Sequence, residues 1–376
     1  MRELLEIRRE LDVIDAQIVE LFQKRIALNG SVAEYKAERN MQIQDKQREK
    51  EKITAVTAGI EEPFSCHAVK DLFGQIMAIG RRYQYHVLTE MGKEDPIPFE
   101  GIDQIPMSHI RVVYQGVPGA YSDAALVQFF GENTTHYNVV TWSDAMTEVS
   151  QGRADYAVLP IENSTAGMVG DVYDLLMAYN NTIIAETYLK VEHCLLGLPG
   201  ASIEEIQTVY SHPQGLMQCN HYLDCHKNWQ RISENNTAVS ARKVVEMGDK
   251  TQAAIASRYA GELCGLEVLD EGINDNKKNT TRFIIVSRKK QYRKDAQKIS
   301  ICFEIPHESG SLYNILAHFI FNDLNMTKIE SRPIPGRNWE YRFYVDFEGN
   351  LSEPAVRNAL MGIEKESNHL RILGNY

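Results

Sequence analysis

The chain has 376 residues, 43% of them hydrophobic, enough to bury two or three separate cores and too apolar for a disordered protein. A formal net charge of −11 argues against nucleic acid or an anionic membrane as a partner, because either needs a dominant basic face. With no apolar signal region, no apolar run near the ~18 residues of a spanning helix and six scattered cysteines without a CxxC pair, a cytoplasmic protein with reduced thiols is expected. His212, Cys219, His221, Cys225 and His226 cluster in sequence, but their spacing matches no zinc pattern, and no metal is expected.

Apolar residues recur at Leu4, Ile7, Leu11, Ile14, Ile18, Leu21, Leu28, Val32 and Tyr35 in steps of three and four, the period of one long amphipathic helix with a heptad seam. Arg25 occupies a seam position, where an unpaired charge is costly and an anionic partner is needed. Lys36, eleven residues on, projects from nearly the same face. Arg8 lies 28 residues before Lys36, about 42 Å at 1.5 Å per residue, which no small substrate spans. The two share a site only if a second copy supplies Arg8 from an antiparallel helix, which predicts a dimer; solvated surface is the alternative for both charges. Asp45 can cap a second helix carrying Arg48 and Glu49 in its first turn. Pro63 and Ser65 open a third, on which Phe73, Met77, Gly80 and Gln84 share a face, so Gln84 is either a ligand contact or a satisfied core amide.

The order Arg8, Arg25, Lys36, Asp45, Arg48, Glu49, Gln84 resembles the all-helical chorismate mutase domain, over residues 1–90. The resemblance implies that Arg25, Arg48 and Arg8 of the partner subunit grip the two carboxylates of chorismate. It places Lys36 and Gln84 at the ether oxygen, and Glu49, with Asp45 nearby, at the ring hydroxyl. The rearrangement needs no covalent bond to the enzyme, only a folded conformer and stabilisation of charge on the breaking ether oxygen. Gly80 departs from the family pattern, which usually has Ser, so one hydrogen bond is expected to be missing.

Residues 91–108, with three prolines and no periodicity, read as a linker. Beyond it, strand-like runs at 110–114, 157–161, 183–189, 208–210, 253–255 and 282–286 alternate with helical stretches, arguing for parallel sheets in two lobes with a cleft. In the stretch ADYAVLPIENSTAGMVG, Val158, Leu159 and Ile161 suit a strand buried on both faces that ends in Glu162, Asn163, Ser164, Thr165 and Gly167. Ligands bind outside the carboxyl ends of such strands, so these uncharged groups beside one carboxylate suit a small anion. A plain loop with Ser164 or Thr165 capping a helix is the other reading. The turn from Gly116 to Ser122 leads into a helix start and also suits an anion.

Together, GAYS, LPIENSTAG, HCLLG, HPQ, NTA and TRF, in this order, resemble prephenate dehydratase over residues 109–288. The resemblance implies a two-lobed α/β domain like a periplasmic binding protein, with its site in the cleft. Thr281 becomes the donor to the departing hydroxyl, Asn163, Ser164, Thr165, Gln214 and Thr237 position substrate, and Arg282 is a carboxylate partner. Prephenate loses its ring carboxylate and hydroxyl as the ring aromatises, so the task is to assist a poor leaving group. Asn236 stands where many members have Ser.

After a basic stretch at 288–298, the last residues follow a βαββαβ pattern. Gly310, Ser311 and Leu312 at the first helix, and Glu330 and Ser331, followed by Arg332 and Pro333, at the end of the second strand, resemble the ACT domain of prephenate dehydratases. That implies L-phenylalanine binding at a subunit interface; a purely structural dimerisation domain is the alternative.

The chain thus reads as multidomain: an all-α helical mutase domain (1–90), a linker (91–108), an α/β two-lobed dehydratase domain (109–288) and an α+β ACT domain (298–376). The expected function is conversion of chorismate to prephenate and of prephenate to phenylpyruvate under feedback by L-phenylalanine, in a homodimer or larger homo-oligomer, without cofactor or metal. A non-catalytic sensor built on the cleft and the ACT domain is the rival of a different class. A fusion to prephenate dehydrogenase lacks the GxGxxG unit it needs.

Overall fold

The structure is a computed structural model describing residues 2–93 and 96–376. Residues 1–98 with 297–372 form one compact unit and residues 99–296 with 373–376 a second.

The chain opens with α1 (Leu4–Glu38), α2 (Lys46–Thr57) and α3 (Pro63–Glu90). Asp45 caps α2 by accepting the Arg48 N–H at 2.9 Å, and Glu62 caps α3 behind Pro63. The seam predicted for α1 is present but uncovered within one chain: Leu11, Leu21 and Leu28 are 52%, 65% and 67% exposed.

The second unit holds β1 (Glu100–Ile102), β2 (Arg111–Gln115), α4 (Tyr121–Phe130), β3 (Thr135–Val139), α5 (Trp142–Ser150), β4 (Tyr156–Asn163), β5 (Gly167–Met168), α6 (Gly170–Ala178) and β6 (Thr182–Lys190). It continues through β7 (Cys194–Gly197), β8 (Thr208–Ser211), α7 (Pro213–Met217), α8 (Asn220–Cys225), β9 (Gln230–Ser233), α9 (Thr237–Met247), β10 (Gln252–Ala256), α10 (Arg258–Cys264), β11 (Glu267–Asp270), β12 (Thr280–Ser287) and β13 (Gln291–Arg293). Two sheets result, ordered β6-β12-β4-β2-β3 and β11-β7-β10-β8-β9. They are mixed, not parallel as the alternation suggested: β12 runs antiparallel to both β4 and β6. The chain leaves the first sheet after β6, builds the second, and returns as β12 from the opposite direction. The stretch read as a linker also contributes structure, since β1 pairs in parallel with β13, Glu100 opposite Gln291.

The C-terminal region follows the expected order with β14 (Lys298–Glu304), α11 (Ser311–Phe321), β15 (Met326–Pro333), β16 (Tyr341–Glu348), α12 (Pro354–Glu366) and β17 (His369–Asn375), the last residues of β17 being counted with the second unit. Its strands are ordered β15-β16-β14-β17. Among the described residues no helix is long and apolar enough to cross a membrane.

Candidate active sites

In the second unit, the pairing of β4 with β12 sets Thr281 opposite Asn163 at a cavity of about 510 Å3. Asn163 Oδ1 accepts the backbone N–H groups of Thr165 and Ala166 at 3.0 and 2.9 Å, which fixes the direction of the side-chain amide. Its Nδ2 then donates to Thr281 Oγ1 at 2.9 Å and to Asn279 Oδ1 at 2.8 Å. A hydroxyl whose oxygen already accepts directs its own hydrogen elsewhere and donates it more strongly.

Gln214 and Thr237 also line the cavity, at the starts of α7 and α9. Ser164 and Thr165 do not. Ser164 Oγ accepts the Thr280 N–H at 2.9 Å and Thr165 Oγ1 accepts from Asn276 Nδ2 at 3.2 Å, so they tie the loop down. Neither caps a helix, the residue before α6 being Val169. Arg282 requires a further correction. Side chains alternate along β12, so Thr281 and Phe283 line the cavity while Arg282 lies outside its lining. Its Nε donates to Glu186 Oε2 at 2.7 Å and its Nη2 to the Tyr376 hydroxyl at 2.8 Å, with Glu162 Oε2 3.6 Å from Nη1. It serves the sheet, not a substrate carboxylate.

His193, within the HCLLG motif, is a further lining residue that the sequence reading does not single out. It is 2% exposed and lines the cavity, and burial pushes its pKa down, favouring the neutral ring. Its Nε2 pairs with Gln218 Oε1 at 2.9 Å and its Nδ1 with the Tyr121 hydroxyl at 3.1 Å, the same hydroxyl lying 3.2 Å from the Glu192 carbonyl that it donates to. Among the described lining residues there is no Lys, Arg, Asp or Glu. The starts of α4 and α9 line it instead, Ala120 at the first offering no side-chain acceptor, while the buried Asp123 in the first turn of α4 takes the Gly119 N–H at 2.9 Å. Asn236 caps α9 by accepting the Ala238 N–H at 2.8 Å, as a Ser does, so this departure is conservative.

In the helical region, Lys36 Nζ donates to the Ile43 carbonyl at 2.6 Å. Burial pulls its pKa below the ordinary lysine value, opposed by the nearby Asp45 and Glu49 carboxylates. Arg25 donates from Nη1 to the Ile76 carbonyl at 3.2 Å, and burial lowers its pKa too. Gln84 Nε2 donates to the Gly80 carbonyl at 3.2 Å, but its Oε1 is buried without a hydrogen-bond partner. Asn29 Nδ2 is also buried and unpartnered; a Cβ on Gly80 would lie 2.7 Å from it and 3.4 Å from Arg25 Nη1. The room left by Gly80 is therefore filled by the Asn29 amide. Two orphaned polar atoms around one glycine, beside a guanidinium, mark a place for a polar ligand. Arg48 has an exposed side chain 3.7 Å from Glu51, and Arg8 is exposed near the start of α1. Sequence reasoning missed Asn29 and Arg81, whose Nη1 donates to Glu49 Oε1 at 2.6 Å; Asn29's position one turn from Arg25 was the available signal.

A cavity of about 460 Å3 in the C-terminal region is lined by Gly310, Ser311 and Leu312 with Trp339 and Phe343. Glu330 and Ser331 are outside its lining, on β15 opposite Tyr344 and Phe343. Among the described residues no group of three His, Cys, Asp or Glu side chains is gathered to hold a metal.

Two family models match the chain, chorismate mutase type II over residues 7–85 and prephenate dehydratase over residues 112–291. The bifunctional chorismate mutase/prephenate dehydratase of Buchnera aphidicola is 32% identical, over 100% of this chain and 96% of that protein. Arogenate dehydratase/prephenate dehydratase 6 of Arabidopsis thaliana is 38% identical over 75% of this chain and 72% of its own. The solved prephenate dehydratase of Arthrobacter aurescens in complex with L-Phe is 32% identical, with a TM-score of 0.65 over 71% of this chain and 89% of that one.

Proposed function

The chain belongs to the family of bifunctional chorismate mutase/prephenate dehydratases, and from that premise we propose which of its residues perform the two reactions and how they are regulated. The observation that carries the dehydratase reading is the Asn163–Thr281 pair at the cavity. Thr281 donates to the departing hydroxyl of prephenate while the ring carboxylate leaves as carbon dioxide. The electrons of the broken carbon–carbon bond enter the ring as the C–O bond breaks, its electrons leaving with the hydroxyl, which takes the Thr281 proton to depart as water; solvent then returns a proton to Thr281. Helix starts and neutral amides, including Gln214 and Thr237, receive the substrate's carboxylates. Arogenate replaces the keto group of prephenate with an ammonium, and a lining without Asp or Glu favours the keto acid.

Arg25 and Arg48 hold chorismate's carboxylates, Lys36 and Gln84 meet the ether oxygen, Glu49 with Asp45 the ring hydroxyl, and Asn29 supplies the hydrogen bond that Gly80 cannot. Arg8 reaches that site from a second copy, whose α1 packs on the exposed seam. L-phenylalanine occupies the cavity at Gly310–Leu312, with Glu330 and Ser331 contributed across a subunit interface; that the A. aurescens relative was solved in complex with L-Phe supports phenylalanine as the ligand. The reading places the enzyme in the cytoplasm and requires neither cofactor nor metal. Supplying purified protein with chorismate alone and following chorismate loss and phenylpyruvate formation together tests both sites. Ligand binding without turnover of chorismate or prephenate would favour the sensor reading instead.

A further inference from the structure

Arg81, on α3, is 6% exposed, and its guanidinium lies between two carboxylates from different parts of the chain. Nη1 donates to Glu49 Oε1 at 2.6 Å and Nε donates to Glu366 Oε1 at 2.7 Å, although Arg81 and Glu366 are 285 positions apart. Glu366 stands in the last turn of α12, and its second oxygen is 3.4 Å from Nε2 of His318 on α11. The His318 ring packs onto Gly362, where a Cβ would overlap it, so only glycine lets α11 and α12 approach this closely. Glu49 has little else to hold it: α2 is twelve residues long and none of them is buried. Its carboxylate is oriented by the planar fork of Arg81 and not by packing of its own helix.

Resting on the reading of Glu49 as the group that meets chorismate's ring hydroxyl, we infer that Arg81 is a positioning residue for Glu49, and that Glu366 and His318 of the C-terminal domain complete the mutase site by holding Arg81 in place. The mutase of this chain then depends on its C-terminal domain for chemistry as well as for stability.

The test uses the full chain with Glu366→Gln, Glu49→Gln and the double variant, measuring kcat and KM for chorismate and, on the same preparations, turnover of added prephenate. Glu366→Gln is expected to lower mutase kcat about tenfold or more through misplacement of Glu49, with KM within about twofold and prephenate turnover intact. The double variant should be no slower than Glu49→Gln alone, because both act through one carboxylate. Wild-type mutase kcat in Glu366→Gln, or losses that multiply in the double variant as for an independent structural role, overturns the inference. If Glu49→Gln itself keeps full kcat, the reading of Glu49 fails and the inference with it. Should Glu366→Gln lose prephenate turnover as well, Arg81→Met with Glu366→Met keeps the volume without a buried charge. That pair must show the same mutase loss in a folded enzyme, and full mutase kcat in it overturns the inference.

Discussion

The role proposed for Thr281 rests on a neighbour. Its hydroxyl accepts from Asn163 and so presents its hydrogen to the cavity, an arrangement Val mimics in shape and not in chemistry. Thr281→Val is expected to lower dehydratase kcat by roughly 10²–10⁴-fold, the usual worth of a positioned proton donor, while mutase activity in the same protein stays intact. Around Gly80, Asn29→Ala should reduce mutase kcat/KM by about tenfold or more, as for one hydrogen bond to a charged substrate. Adding Gly80→Ser to Asn29→Ala should restore part of that loss, because the new Cβ then meets no amide; Gly80→Ser alone must displace Asn29 first. Equal kinetics for all three proteins would remove Asn29 from the site. Glu366 carries a pH signature. Burial alone would raise its pKa, but His318 and Arg81 outweigh that and hold it at about 2 against an ordinary 4.5. A depressed carboxylate stabilises the fold fully above its unfolded pKa and loses that contribution as pH falls through the folded one. The stability gap between the parent and Glu366→Gln, on the order of 3 kcal/mol at most, should therefore be full at pH 7 and shrink between about pH 4.5 and 2, read from denaturant midpoints.

Among the elements, α1 is the one whose sequence and surroundings disagree within a single chain. Its seam period demands a partner, yet Leu11, Leu21 and Leu28 face outward. Leu21→Arg should convert the predicted dimer to monomer by light scattering and cut mutase activity by at least an order of magnitude, since each site then lacks Arg8. Added prephenate should still be dehydrated. An unchanged mass with unchanged mutase kinetics would refute the antiparallel pairing. Strand β12 teaches a different lesson. TRF marks its site end, and the resemblance implies that Arg282 meets a substrate carboxylate, whereas period-2 alternation sets Arg282 on the face opposite Thr281 and Phe283. The structure resolves the choice by handing Arg282 to Glu186 and Tyr376.

For the molecule as a whole, feedback requires that phenylalanine bind one arrangement of the enzyme better than another. Dehydratase velocity should fall as L-phenylalanine is titrated; in the inactive Thr281→Val protein, the factor by which phenylalanine weakens prephenate binding should equal the factor by which prephenate weakens phenylalanine binding, measured calorimetrically. Saturating phenylalanine without any kinetic effect would leave the C-terminal cavity structural.

Local chemistry was legible from the residues alone. The 3.6-residue period placed α1, the Asp–x–x–Arg start placed α2, and uncharged groups at the end of a buried run placed the Asn163 side of the dehydratase cavity, because caps, periodicity and strand ends are encoded within a few neighbouring positions. The direction of β12, the diversion of Ser164, Thr165 and Arg282 into holding the sheet, and the junction of Glu49, Arg81 and Glu366 were decided only by the tertiary structure. Each depends on which distant segments become neighbours, and a pair such as Arg81 and Glu366, 285 positions apart, leaves no trace in the sequence near either member.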